Sequence, residues 1–388
     1  MSAAHVGSNA TSVVHLLSGL RIGGKERAAL RLAQYGRGQG FRHELVLYDT
    51  PFRSTELDFS PGDIPVHFLR RGRGIDPQFA WRLGRLLGAL HADVVHAHND
   101  SALFYAVLGA LVPGSGHPRV VTTLHTLPTA RSLRSRPLVW LAGRRSYVVA
   151  VSEELRDRLV GSGWLSSCGI VWNGVDLDAF KPDGPTAGWR ERLGVGSDEV
   201  LVGHIGRFDP VKRHIDLVEA AKLLQVRMPG LHFVLVGQGD LQTEIRERAA
   251  ALPNVHFVPN VTDMPALFRA LDIFVLCSAH EGTPLALLEA MACGVPCVAT
   301  AVGGVPHVLG LGTDEETAGV LVPPLTPWAL AEAIGRLAGA PSERHRLALA
   351  ARRRAHAFSL ASEWNSYCAL YEDAGGSTAY RRRLGRCF

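Results

Sequence analysis

The chain has 388 residues, 47% of them apolar and 20% charged. That is the balance of a soluble globular protein, and at about 150 residues per domain it implies two or three domains. The formal charge of +5 is uneven, with 20 Lys and Arg against 13 Asp and Glu in residues 1–176 and 21 against 23 beyond. The excess is too mild and scattered to support nucleic-acid binding, but it suits an anionic substrate or surface for the first half. Six cysteines show neither a disulfide framework nor zinc spacing, which points to a reducing cytosol. No run of about 18 apolar residues is present to span a membrane. The N-terminus has no charged segment followed by an apolar core, so no secretory signal is expected.

Strands and helices alternate along the chain. Strands are expected at Val13–Leu17, Glu44–Tyr48, Val66–Leu69, Val94–His96, Val120–Leu124, Val148–Val151 and Ile170–Trp172. Helices are expected at Glu26–Tyr35, Phe79–Leu90, Ser101–Leu111 and Glu153–Val160. A Pro- and Gly-rich stretch, 173–185, reads as a linker. The alternation restarts with strands at Val200–Ile205, His232–Val236, Val255–Val258, Ile273–Leu276, Val295–Thr300 and Val320–Val322, and residues 343–372 read as further helix. Short continuous apolar strands alternating with helices call for parallel sheets covered on both faces. The fold class is therefore α/β: two doubly wound Rossmann-like domains facing across a deep cleft. Ligands in such sheets sit at the carboxyl ends of the strands.

The most informative stretch is 278–294. The strand Ile273–Leu276 ends in a polar turn, and a helix is expected to begin at Pro284, where a missing N–H costs nothing. Its free N–H groups and dipole make a site for phosphate. Glu281 sits in the turn and Glu289 about a turn and a half into the helix. One carboxylate can reach the sugar side of the phosphate and the other the ribose. Arg207 and Lys212 leave the end of Val200–Ile205 for the same crevice and would clamp a diphosphate. Gly237, in Val234-Leu-Val-Gly-Gln-Gly-Asp240, lacks the third glycine of a dinucleotide loop, and its Gly-x-Gly is read as a close turn beside a nucleotide.

In the first half, Gly23 and Gly24 would let backbone approach a phosphate or sugar. His125 follows a strand, and His98 closes another. The His96-x-His98 pair invites a metal reading, but we assign the two rings to opposite faces of the strand and expect no metal. The acid-free segment 131–145, with Arg131 at its start and Trp140 and Leu141 inside it, could meet an anionic membrane or acceptor, together with Arg70, Arg71 and Arg73. The end, 380–388, reads as a basic tail.

These residues resemble the retaining glycosyltransferases of family 4, with the GT-B fold, over about residues 12–370. The resemblance rests on Gly23-Gly-Lys-Glu-Arg27, Asn173-Gly-Val-Asp176, the Arg207/Lys212 pair and Glu281-Gly-Thr-Pro-Leu-Ala-Leu-Leu-Glu-Ala-Met-Ala-Cys-Gly294. It is supported by Val302-Gly-Gly-Val-Pro306 and Gly319-Val-Leu-Val-Pro-Pro324. It implies an acceptor domain at 1–175, a nucleotide-sugar domain at 176–357, and a segment 358–388 whose helix returns to the first domain.

The resemblance also implies roles. Arg207 and Lys212 hold the donor diphosphate, aided by Gly206 and Gly237. Glu289 holds the ribose, and Glu281 the transferred sugar near its 3-hydroxyl. Gly282, Thr283, Pro284 and Leu285 present backbone to phosphate and sugar. Gly23 and Gly24 close over the donor, and His125 faces the sugar 6-hydroxyl. Lys25, His98, Asn99 and Arg131 are candidates for the acceptor.

The implied reaction is sugar transfer from a UDP- or GDP-sugar to a glycan or lipid-linked acceptor, with no cofactor and no metal. Pro259, where the family often has Gly beside the base, leaves uracil and guanine both open. The implied location is cytoplasmic, peripheral on the membrane face. Same-face attack is favoured over a carboxylate nucleophile. Other readings are a nucleotide-sugar epimerase of the same fold and a non-catalytic nucleotide-sugar-binding protein.

Overall fold

The structure is a computed structural model that describes residues 10–20, 23–49, 60–127, 136–259, 261–313 and 316–372. It divides into two compact units: residues up to Trp172 together with those from Ala361, and Asn173–Leu360.

In the first unit the strands are β1 (Ser12–Leu17), β2 (Arg42–Leu47), β3 (Val66–Phe68), β4 (Val94–Ala97), β5 (Arg119–Leu124), β6 (Tyr147–Ala150) and β7 (Gly169–Ile170). The helices between them are α1 (Gly24–Gly38), α2 (Pro77–Ala89), α3 (Asp100–Ala110), α4 (Arg136–Gly143) and α5 (Glu153–Gly161). All pairings are parallel, in the order β3-β2-β1-β4-β5-β6-β7. The order reverses between β1 and β4, which opens a crevice at their carboxyl ends. Side chains alternate across the sheet with period 2. Val14 and Leu16 of β1 pack with Phe79, Leu83, Leu103 and Tyr105 on one face. Val13, Val94, Val121 and Val149 pack with Trp364, Tyr367, Leu370 and Tyr371 on the other.

The second unit contains β8 (Val200–Ile205), β9 (Leu231–Val236), β10 (Val255–Val258), β11 (Ile273–Leu276), β12 (Cys297–Thr300) and β13 (Val320–Val322). Its helices are α6 (Trp189–Arg192), α7 (His214–Gln225), α8 (Gln242–Arg248), α9 (Met264–Ala270), α10 (Leu285–Ala292), α11 (Val305–Val308), α12 (Pro327–Ala338) and α13 (Pro341–Ala355). The order is β10-β9-β8-β11-β12-β13, again parallel, with its reversal between β8 and β11. Strand β12 starts at Cys297 rather than at Val295 because Pro296 precedes it and has no N–H for a ladder.

The last helix, α14 (Leu360–Glu372), belongs almost wholly to the first unit. Val175 and Ser359 pair in parallel where the chain enters and leaves the second unit, through Val175 N–H to Phe358 O (2.8 Å) and Leu360 N–H to Val175 O (3.0 Å). The stretch read as a linker thus opens the second unit. Helix α14 is keyed into the first sheet by Trp364, edge-on to Phe41 at 4.8 Å. Its Tyr367 and Tyr371 hydroxyls lie 2.6 Å from Thr123 Oγ1 and 2.7 Å from His96 Nδ1. No helix among the described residues is long and apolar enough to cross a membrane.

Candidate active site

The second unit brings its candidate residues together at the β8/β11 reversal. After β8, Gly206 and Arg207 lead into a single 3₁₀ turn, Pro210–Lys212. After β11, the chain runs through Ser278 and Glu281 into α10. The helix starts at Leu285, with Pro284 at φ −75°, ψ 114° as the residue before it, one position later than expected. Pro284 provides no side-chain cap, so the first N–H groups of α10 have no partner within the helix.

Lys212 Nζ lies 2.6 Å from Glu281 Oε1. Ser278 Oγ donates to the same oxygen at 2.6 Å. Glu281 is only 8% exposed, so a buried carboxylate is held by a cation and a hydroxyl at once, as burial of charge requires. Arg207, at 58% side-chain exposure, pairs with Asp209. The two loops are stitched together by Ala279 N–H to Val211 O at 2.8 Å. Asn173, itself buried, donates from Nδ2 to Thr283 O at 2.9 Å and steadies the Gly282–Pro284 turn. Gly304 N–H bonds Gly282 O at 3.0 Å. Gly303, at φ +55°, lies where a Cβ would stand 1.7 Å from Glu281 O.

Gly237 has a packing reason of the same kind: its Cβ would meet Gly206 O at 2.1 Å. It lets the loop after β9 lie directly on the loop after β8. Glu289 is buried, 2% exposed. Beneath the site, His204 donates from Nδ1 to Val275 O (2.9 Å). Burial brings its pKa down to about 4; Lys212 pushes the same way, while the Val275 carbonyl and Glu281 oppose.

In the first unit, α1 also starts without a side-chain cap, at Gly23, and nothing stands within 4 Å of where a Cβ on Gly24 would be. Lys25 Nζ lies 3.3 Å from Glu26 Oε1 and 3.5 Å from Ser18 Oγ. Asn99 has a structural job: its Oδ1 accepts Ala102 N–H (2.6 Å) as the cap of α3 and the Tyr48 hydroxyl (3.1 Å). Arg131 and the basic tail lie outside the described residues.

The histidines correct the strand argument. Residues two apart share a face, and the His96 and His98 rings lie 4.2 Å apart between centroids. His15 stands abreast of His96 on β1, and these three present ring nitrogens within 4.8 Å of one another. Both nitrogens of His15 and of His96 are already engaged, as is His98 Nε2. His15 Nε2 meets His43 Nδ1, and His15 Nδ1 meets His98 Nε2, both at 2.9 Å. Both nitrogens of His96 reach hydroxyls, those of Tyr371 and Thr123.

A neutral imidazole has one donor and one acceptor, so His43, His15 and His98 form a chain whose protons all run one way. Its two ends, His43 Nε2 and His98 Nδ1, are buried without partners. His125 stacks beyond His98 at 5.9 Å, its Nε2 also buried and unpartnered. Burial, first of all, holds His15, His96 and His98 well below the usual imidazole range and brings His43 and His125 to about 3. Lys25 adds to the effect on His98 and His125, which places it with them at the β1/β4 reversal.

Residues 186–354 match the family model described as Glycosyl transferases group 1, and residues 22–179 match Glycosyltransferase Family 4. EpsF of Bacillus subtilis, named as a glycosyltransferase, is 27% identical over 350 residues, covering 86% of this chain and 89% of that one. The D-inositol 3-phosphate glycosyltransferase of Geodermatophilus obscurus is 31% identical over 322 residues, covering 74% of this chain and 68% of the other. Among solved structures, Anabaena Alr3699/HepE in complex with UDP has a TM-score of 0.77 at 22% identity, covering 93% of this chain and 99% of that chain.

Proposed function

The chain belongs to the glycosyltransferases of group 1 and family 4, with the GT-B fold, and on that premise we propose that it is a retaining, metal-independent hexosyltransferase. Its donor is a UDP- or GDP-sugar, with UDP favoured by the UDP complex of the Anabaena neighbour. Its acceptor is a glycan or lipid-linked hydroxyl in cell-envelope or exopolysaccharide synthesis. The observation that carries the reading is the Lys212–Glu281 contact of 2.6 Å beside Arg207 and ahead of the uncapped α10.

The departing nucleoside diphosphate develops negative charge as the sugar becomes oxocarbenium-like. Arg207, Lys212 and the N–H groups of α10 stabilise that anion. One such preorganised donor is worth about 2.7–4 kcal/mol. Glu281 accepts from a sugar hydroxyl and keeps Lys212 aimed at the phosphate. The acceptor enters on the face the diphosphate leaves, and a donor phosphate oxygen takes its proton. A glycosyl ester trapped on Glu281 would overturn this in favour of a double displacement.

Membrane association at the cytoplasmic face fits α4. There Trp140 and Leu141 are 37% and 56% exposed, Arg144 lies 5.0 Å over the Trp140 ring, and Arg136–Arg145 contains no acid.

The test is thermal stabilisation by UDP, GDP, ADP and CMP, with Arg207→Ala as control, followed by NMR assignment of the anomeric configuration in the product. A diphosphate at 100 times its dissociation constant adds about 2.7 kcal/mol. Stabilisation by UDP or GDP alone, lost in Arg207→Ala, supports the donor site. An inverted anomeric product removes the retaining assignment.

A further inference from the structure

We propose that Asp209 is the positioning residue of the phosphate clamp, one carboxylate oxygen shaping the turn that presents Lys212 and the other holding the Arg207 guanidinium in place. This rests on the donor-site reading above. In the sequence, Asp209 is only one of the residues separating two cations. In the fold it touches both arms.

Its Oδ1 accepts the backbone N–H groups of Val211 and Lys212, each at 3.1 Å, and so caps the 3₁₀ turn. Pro210, at the start of that turn, has no N–H to satisfy. Its Oδ2 accepts from Arg207 Nε at 2.9 Å and Nη2 at 2.7 Å. The Asp209 N–H donates back to Arg207 O at 2.8 Å. The carboxylate is 19% exposed, whereas the guanidinium side chain it holds is 58% exposed. The anchor is therefore the less exposed partner and the cation the one offered outward.

A guanidinium has five N–H donors in a rigid fork. Two are spent on Asp209, which leaves three for phosphate oxygens. An exposed arginine without such an anchor loses rotamer freedom when it binds, and ordering it beforehand removes that cost.

The same carboxylate is an anion beside an anion site, so two roles predict opposite signs. If Asp209 only competes with phosphate, removing its charge tightens binding. If it positions the clamp, removing the anchor weakens binding. Asp209→Asn separates the jobs. Asn caps a turn about as well as Asp, but its amide nitrogen cannot accept from Arg207. Asp209→Ser keeps a capping oxygen with still less reach to Arg207, and it serves if the first variant folds poorly.

The experiment is calorimetric titration of the full chain with UDP and with GDP. Wild type, Asp209→Asn, Asp209→Ser, Arg207→Ala and the Asp209→Asn/Arg207→Ala double variant are compared. The expected result is about a 5- to 10-fold rise in Kd for Asp209→Asn, at most the loss of about one charge-assisted contact. Little further loss is expected in the double variant, because the two residues act as one unit. Unchanged or tighter binding in Asp209→Asn, or effects that simply add, would overturn the proposal while leaving the donor site in place. Unweakened binding in Arg207→Ala would remove the donor-site reading itself, and this proposal with it.

Discussion

Acid should destabilise the first unit, and the histidine chain sets the size of the effect. The unfolded chain protonates each imidazole near 6.5, whereas the folded His43 is held at about 3 by burial and, secondarily, by Arg37. The native state therefore binds fewer protons than the unfolded state below 6.5. Stability is complete above that pH and falls as pH drops through it, at about 1.4 kcal/mol per unit for each such group. His15, His96 and His98 are shifted in the same direction, also by burial. Their loss adds to that of His43 in the same pH direction.

The assay is urea unfolding between pH 7.5 and 5.5, followed by tryptophan fluorescence. Trp364 lies 5.7 Å from His43 and reports locally. Two units warrant fitting two transitions. Over this range His43→Gln should remove about 1.4 kcal/mol of the total pH-dependent loss, an average of about 0.7 kcal/mol per pH unit, since Gln does not titrate. A transition of the first unit that does not move with pH, or a slope unchanged in His43→Gln, would refute the reasoning.

Three other outcomes are expected. Gly303→Ala should cost about 100-fold or more in turnover, because its Cβ would displace Glu281 O from 1.7 Å and a misplacement of about 1 Å can cost that much; near-normal kcat would contradict this. Tyr371→Phe should cost about 1–3 kcal/mol by leaving a buried His96 nitrogen without its 2.7 Å partner; the check is a lowered Tm with faster proteolysis at α14. Paired Arg144→Glu and Arg145→Glu substitutions should abolish sedimentation with anionic vesicles if α4 meets the membrane. Undiminished sedimentation would remove that surface from the proposal.

Much of the fold was legible because the strands are short apolar runs, and such runs are visible in one dimension. Val200–Ile205, Val255–Val258, Ile273–Leu276 and Val320–Val322 coincide with β8, β10, β11 and β13. Arg207, Lys212 and Glu281 were legible as candidates because each follows a strand that reads as parallel, where the carboxyl end is the functional end. What they touch was not. The 2.6 Å pairing of Lys212 with Glu281 joins residues 69 apart in sequence, and Asp209's double contact depends on the closed 3₁₀ turn.

The histidine chain belongs wholly to the tertiary structure. His43 lies on β2, His15 on β1 and His98 just past the end of β4, a strand that follows β3 in sequence, and only the parallel order β2-β1-β4 sets them side by side. Local pattern determined which residues face inward. The choice of neighbouring strand, set by non-local packing, decided which of them meet.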